Sequence, residues 1–204
     1  MVLAMNDDDR APEEVEDLAL GAFRMVKEKL AFDLDFTPET LPVLDHYLEL
    51  LRQEGDGAPD EKVVSVVAPC AGAYFGEVAR RTFPNLRWHL AKDDYPRWRL
   101  EAADVFLCFN PIGVALEALY RETLGEYNAH FTLLPAEQDV VNASLETTGP
   151  VREDDYYRLA VRHEVLDQAL SVLGEMARQK GERTRFGPEV YAAVLGEGDP
   201  GAEA

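Results

Sequence analysis

The sequence predicts an α+β fold that is dominated by helices and contains one small, three-stranded antiparallel sheet. Most of the chain places apolar side chains at the three-to-four-residue spacing of amphipathic helices. A middle segment, residues 87–109, instead alternates polar and apolar side chains, as strands do. The 204 residues, 47% of them hydrophobic, suffice for one core. We therefore expect a single domain at residues 12–195, with disordered ends at residues 1–11 and 196–204.

The helices are predicted from apolar spacing together with signals at their ends. Thr37 and Pro38 supply a hydroxyl cap followed by a proline at the first helical position, and Gly55 marks an end. Asn110 and Pro111 form a second start signal after the last strand. Helices are thus predicted at residues 12–31, 38–55, 61–83, 112–124, 136–146 and 153–180, with a short one after Pro188.

The helix at residues 61–83 is predicted to lie at the centre of the fold. It contains Gly72 and Gly76, four residues apart. Each glycine costs roughly 1 kcal/mol relative to alanine inside a helix. The compensation that we expect is the close approach of another element to this side of the helix.

The predicted strands cover residues 87–90, 97–100 and 104–109. Strand alternation places Arg87 and His89 on one side and Trp88 on the other. The same alternation separates Arg97 and Arg99 from their apolar neighbours. If the tryptophan sides align, the four side chains form one basic sheet face, which consists of Arg87, His89, Arg97 and Arg99.

Charge is distributed unevenly along the chain. Acidic residues number 39 and basic residues 20, a net charge of −19. Residues 1–60 carry −11 and residues 103–204 carry −10, whereas residues 61–102 carry +2. Such an acidic chain repels nucleic-acid phosphates and anionic membrane surfaces, so neither is an expected partner.

Several of these residues recur as an ordered pattern. Leu44-Asp45 precedes the string GAYFGEV at residues 72–78, which is followed by Arg80-Arg81, Trp88 and FNPIG at residues 109–113. In this order they resemble a bacterial family of domains of unknown function with a GAYxGEVxRR helix, a tryptophan-bearing strand and an N-P-aliphatic segment. The resemblance covers about residues 34–125. It implies a shared fold and carries over no catalytic residue.

Motifs of known catalytic chemistry are absent from the sequence. It contains no GxSxG, HExxH, GxxxxGK[ST] or GxGxxG string. The four histidines lie far apart and lack the spacing of metal ligands, so no metal and no cofactor is expected. Cys70 and Cys108 lie in apolar segments, where burial makes a thiol unreactive. No residue is assigned a catalytic role.

Glu77 is a charged residue in a helix that is predicted to be buried, so it needs a partner. Arg80 and Arg81 follow at three and four residues, within reach on the helix surface. In one interpretation the Glu–Arg pair fixes the helix against the sheet. In the other, Glu77 lines a ligand pocket. The basic sheet face has two interpretations as well: it pairs with acidic groups of the same chain, or it recognises an anion or a partner.

The favoured hypothesis is a non-catalytic interaction or regulatory protein rather than an enzyme. It would bind a protein partner through its acidic helices or its basic sheet face. The negative charge of the chain suggests that this partner is basic. The alternative is a small-ligand or anion binder, or an enzyme, with a pocket between the GAYFGEV helix and the sheet. That pocket would use Tyr74, Glu77, Arg80 and Asn110. Two cysteines and an N-terminus without a basic leader predict a cytoplasmic location.

Overall fold

Helices make up most of the protein. The computed structural model describes residues 10–55, 59–147, 149, 152–181 and 184–197. The helices are α1 (Glu13–Leu30), α2 (Leu41–Glu54), α3 (Glu61–Thr82), α4 (Pro111–Tyr120), α5 (Pro135–Thr147), α6 (Glu153–Tyr156), α7 (Leu159–Lys180) and α8 (Pro188–Leu195). Together with one antiparallel sheet they confirm the α+β class and the predominance of helices.

Helix α3 lies at the centre and packs against α1 and α4. Every residue from Val67 to Ala79 is buried. A Cβ atom at Gly72 would lie 2.5 Å from Cα of Ile112, at the start of α4, and one at Gly76 would overlap the ring of Trp88. The close approach predicted from the two glycines is therefore present on this side of α3.

Helix α3 is also long and apolar enough to span a membrane by length and composition alone. Its most apolar window has a mean hydropathy of 1.2, and 78% of that window is buried inside the protein. Burial of this extent is typical of the core helix of a globular domain.

Among the described residues the sheet has four strands, so the prediction of three was wrong. They are β1 (Leu86–His89), β2 (Arg99–Ala102), β3 (Leu107–Phe109) and β4 (Thr132–Leu133), in the spatial order β1-β2-β3-β4, with all neighbours antiparallel. The additional strand pairs Leu107 with Leu133 and Cys108 with Thr132. Two residues are too short a run to show alternation in a sequence.

The two sides of the sheet have different coverings. On one side Trp88, Leu100 and Phe109 lie in register and face α3, whose Phe75 ring is 6.2 Å from the Phe109 ring. On the other side α8 covers the sheet through Tyr191, which is fully buried. The backbone N–H of Leu107 donates to the Tyr191 hydroxyl at 3.1 Å. The basic sheet face therefore lies towards α8.

The predicted helix at residues 153–180 is interrupted at Tyr157 and Arg158, which separate α6 from α7. The carboxylate of Asp45, on α2, accepts the backbone N–H groups of Leu159 at 2.7 Å and Ala160 at 3.1 Å. These are the first two amides of α7, which have no acceptor within their own helix. The contact with α2 thus gives α7 a separate start.

The ends of the chain lie largely outside the described residues. This applies to residues 1–9 and 198–204, which form most of the two ends predicted to be disordered. Within the described part, Ala11 is buried against the core, and Glu197 forms an ion pair with Arg99.

Candidate functional site

The buried carboxylate of Glu77 ties α3 to the sheet. Its Oε1 accepts from Nε of Arg80 at 2.8 Å and from Nε1 of Trp88 at 2.9 Å. Its Oε2 accepts from Nη2 of Arg80 at 3.0 Å and lies 3.5 Å from Nε of Arg81. Two cations and an indole N–H thus satisfy a side chain that is 1% exposed. These contacts agree with the interpretation in which the Glu–Arg pair fixes the helix.

Tyr74 and Asn110 also hold local structure. The Tyr74 hydroxyl accepts the backbone N–H of Phe36 at 2.8 Å and lies 2.7 Å from Oγ1 of Thr40. Asn110 caps α4, because its Oδ1 accepts the backbone N–H of Ile112 at 2.9 Å. Its Nδ2 donates to the carbonyl oxygens of Tyr95 and Pro96. Both side chains are buried and serve the fold.

The basic sheet face pairs with acidic groups of the same chain. The register places Arg87 opposite Glu101 and His89 opposite Arg99, so these two pairs share one side of the sheet. Glu101 is 1% exposed and accepts from Nε of Arg87 at 3.2 Å and from Nε of Arg99 at 2.9 Å. Glu197 accepts from Nη1 of Arg99 at 2.8 Å. The pairing follows the interpretation in which this face meets acidic groups of its own chain.

His89 lies beside these charges, and burial, together with the charge of Arg99, lowers its pKa below the usual value. Glu101 was missed by the sequence reasoning. Strand alternation places Glu101 on the same side as Arg99, so the sequence pattern does indicate a carboxylate on this side.

Arg97 departs from the predicted strand. It lies in the 3-10 turn Tyr95–Arg97 that precedes β2, 3.8 Å from Glu197. Together with Arg99 and Asn110 it lines a cavity of about 240 Å³ beside the sheet, which Glu197 lines as well. The structure therefore brings three predicted site residues together, and it adds a carboxylate to them.

A different groove collects arginines from four parts of the chain. We call it the arginine groove: Arg10, Arg80, Arg87 and Arg185 line a volume of about 380 Å³. The remaining lining residues are Pro12, Pro84, Asn85, Leu86, Trp88 and Ala103, so no carboxylate is among those lining it in the described part of the chain. It lies between the end of α3, β1 and the segment before α1. Of the predicted site residues, it contains Arg80 and Arg87.

Three arginines of this groove, Arg10, Arg80 and Arg87, bind groups of the same chain. Arg80 is held by Glu77, and Arg10 by Glu16 through two hydrogen bonds of 3.0 and 3.1 Å. Arg87 donates to Glu101 and to the carbonyl oxygen of Phe186. A guanidinium group has five N–H donors in a planar fork, a geometry that suits carboxylates and phosphates. Arg185 is exposed.

Other kinds of reactive site have little support in the geometry. Both cysteines are free and buried, and desolvation raises the pKa of both thiols, that of Cys108 to about 12. Such thiols carry almost no thiolate at neutral pH. Across the described ranges, no group of three or more His, Cys, Asp or Glu side chains is arranged to hold a metal ion.

Comparison of the chain with protein-family models, with curated proteins and with solved structures gives no match. The family resemblance of about residues 34–125 stays a prediction. The residues that carry it have a physical role in the structure. Gly72 allows the close approach of α4, and Gly76 allows that of the Trp88 ring. Glu77 accepts a hydrogen bond from Trp88, so the motif accounts for the close packing of α3 against the sheet.

Proposed function

We propose that this protein is a non-catalytic binding protein, and that its arginine groove holds a carboxylate or phosphate group of a protein partner. One observation carries the proposal: four guanidinium groups line one groove, and no carboxylate is among the described residues that line it. Guanidinium groups bind carboxylates and phosphates through paired hydrogen bonds, which fix the orientation as well as the charge. The site retains the predicted residues Arg80 and Arg87 and adds Arg10 and Arg185.

Preorganisation supports this function. Arg80 and Arg87 are fixed by carboxylates, Glu77 and Glu101, that are each 1% exposed. Arginines held in this way lose less side-chain entropy when they bind a ligand than free surface arginines do. Trp88 also lines the groove, and tryptophan with arginine is the composition of interface residues that contribute most to binding.

The charge of the whole chain restricts the partner. A net charge of −19 repels an acidic protein at long range and attracts a basic one. The partner that fits both features is basic overall and presents one acidic or phosphorylated side chain to the groove. A cytoplasmic location belongs to the same proposal, since free buried thiols suit a reducing compartment.

The test compares the proteins that co-purify with three tagged forms of the chain: wild type, Arg185→Glu and Arg24→Glu. Both arginines are exposed and both changes alter the charge equally, but Arg24 lies about 18 Å along α1 from Pro12 at the groove. We expect one partner to be retained by wild type and by Arg24→Glu and to be lost from Arg185→Glu. Its affinity for purified Arg185→Glu should fall roughly tenfold or more.

Two outcomes contradict the proposal. The first is a wild-type protein that retains no partner at low salt, where charge attraction is strongest. The second is a partner that binds Arg185→Glu and wild type equally well. In the second case the contact surface lies outside the arginine groove.

A further inference from the structure

A second cavity lies on the side of the protein formed by α5, α6 and α7. Its volume is about 300 Å³, and it shares no lining residue with the arginine groove. One part of its wall is apolar and consists of Phe131, Leu133, Val141, Leu145 and Val165. The other part is polar and consists of His130, Gln138, Asn142, Tyr156 and Arg162. A cavity with an apolar wall and a few convergent polar groups is the usual form of a small-molecule site.

The polar part is built around a buried ion pair. Arg162 is 5% exposed and Glu117 is 1% exposed, and Nη1 of Arg162 lies 3.3 Å from Oε2 of Glu117. Neither of these two atoms has a hydrogen-bond partner among the described residues. The other groups are anchored: Nη2 of Arg162 donates to the carbonyl oxygen of Ala129, and Oε1 of Glu117 accepts the backbone N–H of Leu124.

A buried pair with incomplete hydrogen bonding contributes little to stability. An apolar pair of the same volume often stabilises a core as well or better. The Glu117–Arg162 pair is therefore poorly explained by the fold alone. A ligand that binds the Arg162 guanidinium would give this ion pair a function, whereas its contribution to stability does not explain it.

His130 and Tyr156 extend the pair towards the cavity mouth. Nε2 of His130 lies 3.5 Å from Oε1 of Glu117, and its Nδ1 lies 3.0 Å from the Tyr156 hydroxyl. The Arg162 guanidinium carbon lies 4.9 Å from the centre of the Tyr156 ring. The side chain of His130 is 49% exposed, which places it at the opening of the cavity.

We propose that this cavity binds a small monocarboxylate with an apolar body. Its carboxylate lies at Arg162, His130 and Tyr156, and its body lies against the wall of Phe131, Leu145 and their neighbours. The lining offers the Arg162 guanidinium and the Tyr156 hydroxyl as hydrogen-bond donors, and it contains no carboxylate in the described residues, which favours a negative head group over a positive one. Glu117 lies behind the lining, where Arg162 balances its charge.

The proposal is tested with phenylacetate and hexanoate, and with phenylacetamide and hexanamide as uncharged analogues of the same shape. Isothermal titration of the full chain measures each affinity. We expect both carboxylates to bind and each amide to bind at least tenfold more weakly. Equal binding of acid and amide overturns the proposal, and so does the absence of binding by both carboxylates.

Three variants locate the binding. Tyr156→Phe removes the hydroxyl at the head group and should weaken carboxylate binding about tenfold. Tyr157→Phe is the matched control, because the neighbouring tyrosine does not line the cavity, and it should bind as wild type does. Leu145→Trp fills the apolar end and should abolish binding while the circular dichroism spectrum stays native. Unchanged binding by Tyr156→Phe and Leu145→Trp overturns the assignment to this cavity.

Discussion

Replacing Gly72 with alanine places a methyl group where α3 and α4 touch. The added Cβ would lie 2.5 Å from Cα of Ile112 and 2.8 Å from both the backbone nitrogen of Ile112 and the carbonyl oxygen of Pro111. All three neighbours are backbone atoms at the start of α4, so no side-chain rotation relieves the overlap. The two helices have to separate by roughly 1 Å to restore a contact distance of about 3.5 Å.

The magnitude follows from two opposing effects. Overpacking of a core costs about 1–3 kcal/mol, and contact with rigid backbone places Gly72→Ala at the upper end. Alanine stabilises a helix by about 1 kcal/mol relative to glycine, which offsets part of this cost. We expect the free energy of unfolding to fall by about 2 kcal/mol, and the melting temperature by roughly 4–8 °C for a chain of this length.

Urea denaturation followed by far-ultraviolet circular dichroism measures this change. The matched control is Gly174→Ala on α7, where an added Cβ meets nothing within 4 Å. The control should gain up to about 1 kcal/mol from helix propensity alone. A Gly72→Ala protein as stable as wild type would refute the reasoning, because the close approach of α4 would then not restrict position 72.

Three further predictions concern titratable groups. Glu77→Gln should lower the free energy of unfolding in urea by about 3 kcal/mol, because Arg80 loses its buried carboxylate; a loss below about 1 kcal/mol would contradict the structural role. Desolvation raises the pKa of Asp45 from 3.8 to about 6, so between these values the folded protein binds more protons than the unfolded one and stability falls as the pH rises. Thermal melts should therefore show wild type losing stability relative to Asp45→Asn across this interval, and a constant difference would argue against it. Because burial raises the pKa of both thiols, iodoacetamide should leave Cys70 and Cys108 unmodified in the native protein and modify both in urea, as mass spectrometry can show; labelling of either in the native state would count against their burial.

Local sequence signals predicted the helices well, but they predicted the breaks and pairings between elements less well. Asn110 and Pro111 start α4 as predicted, because the cap and the proline act within one turn. The break before Leu159 has no local signal, since its cause is Asp45, 114 residues away in the sequence. Strand β4 exists because β3 offers it a partner, and two residues show no periodicity of their own.

The candidate sites were harder to predict than the fold. Polar residues in apolar surroundings, such as Tyr74, Glu77 and Asn110, stand out in a sequence, and here they hold the fold together. The arginine groove depends on Arg10 and Arg185, which tertiary structure alone brings near Arg80. The Glu117–Arg162 pair likewise joins two distant helices, so no spacing rule indicates it.

The attachment of α8 has a consequence for the motions of the native protein. Tyr191 is its only buried residue among those described, and the sheet groups that bind it lie 84 to 89 residues earlier in the sequence. An element with so little buried surface opens at a fraction of the global unfolding free energy. We expect amide hydrogens of α8 to exchange with deuterium well before those of α3. In the open form Arg87 loses its contact with the ring of Tyr191, whose centre lies 5.9 Å from the guanidinium carbon, and the sheet side with Glu101 becomes accessible to water and to other molecules.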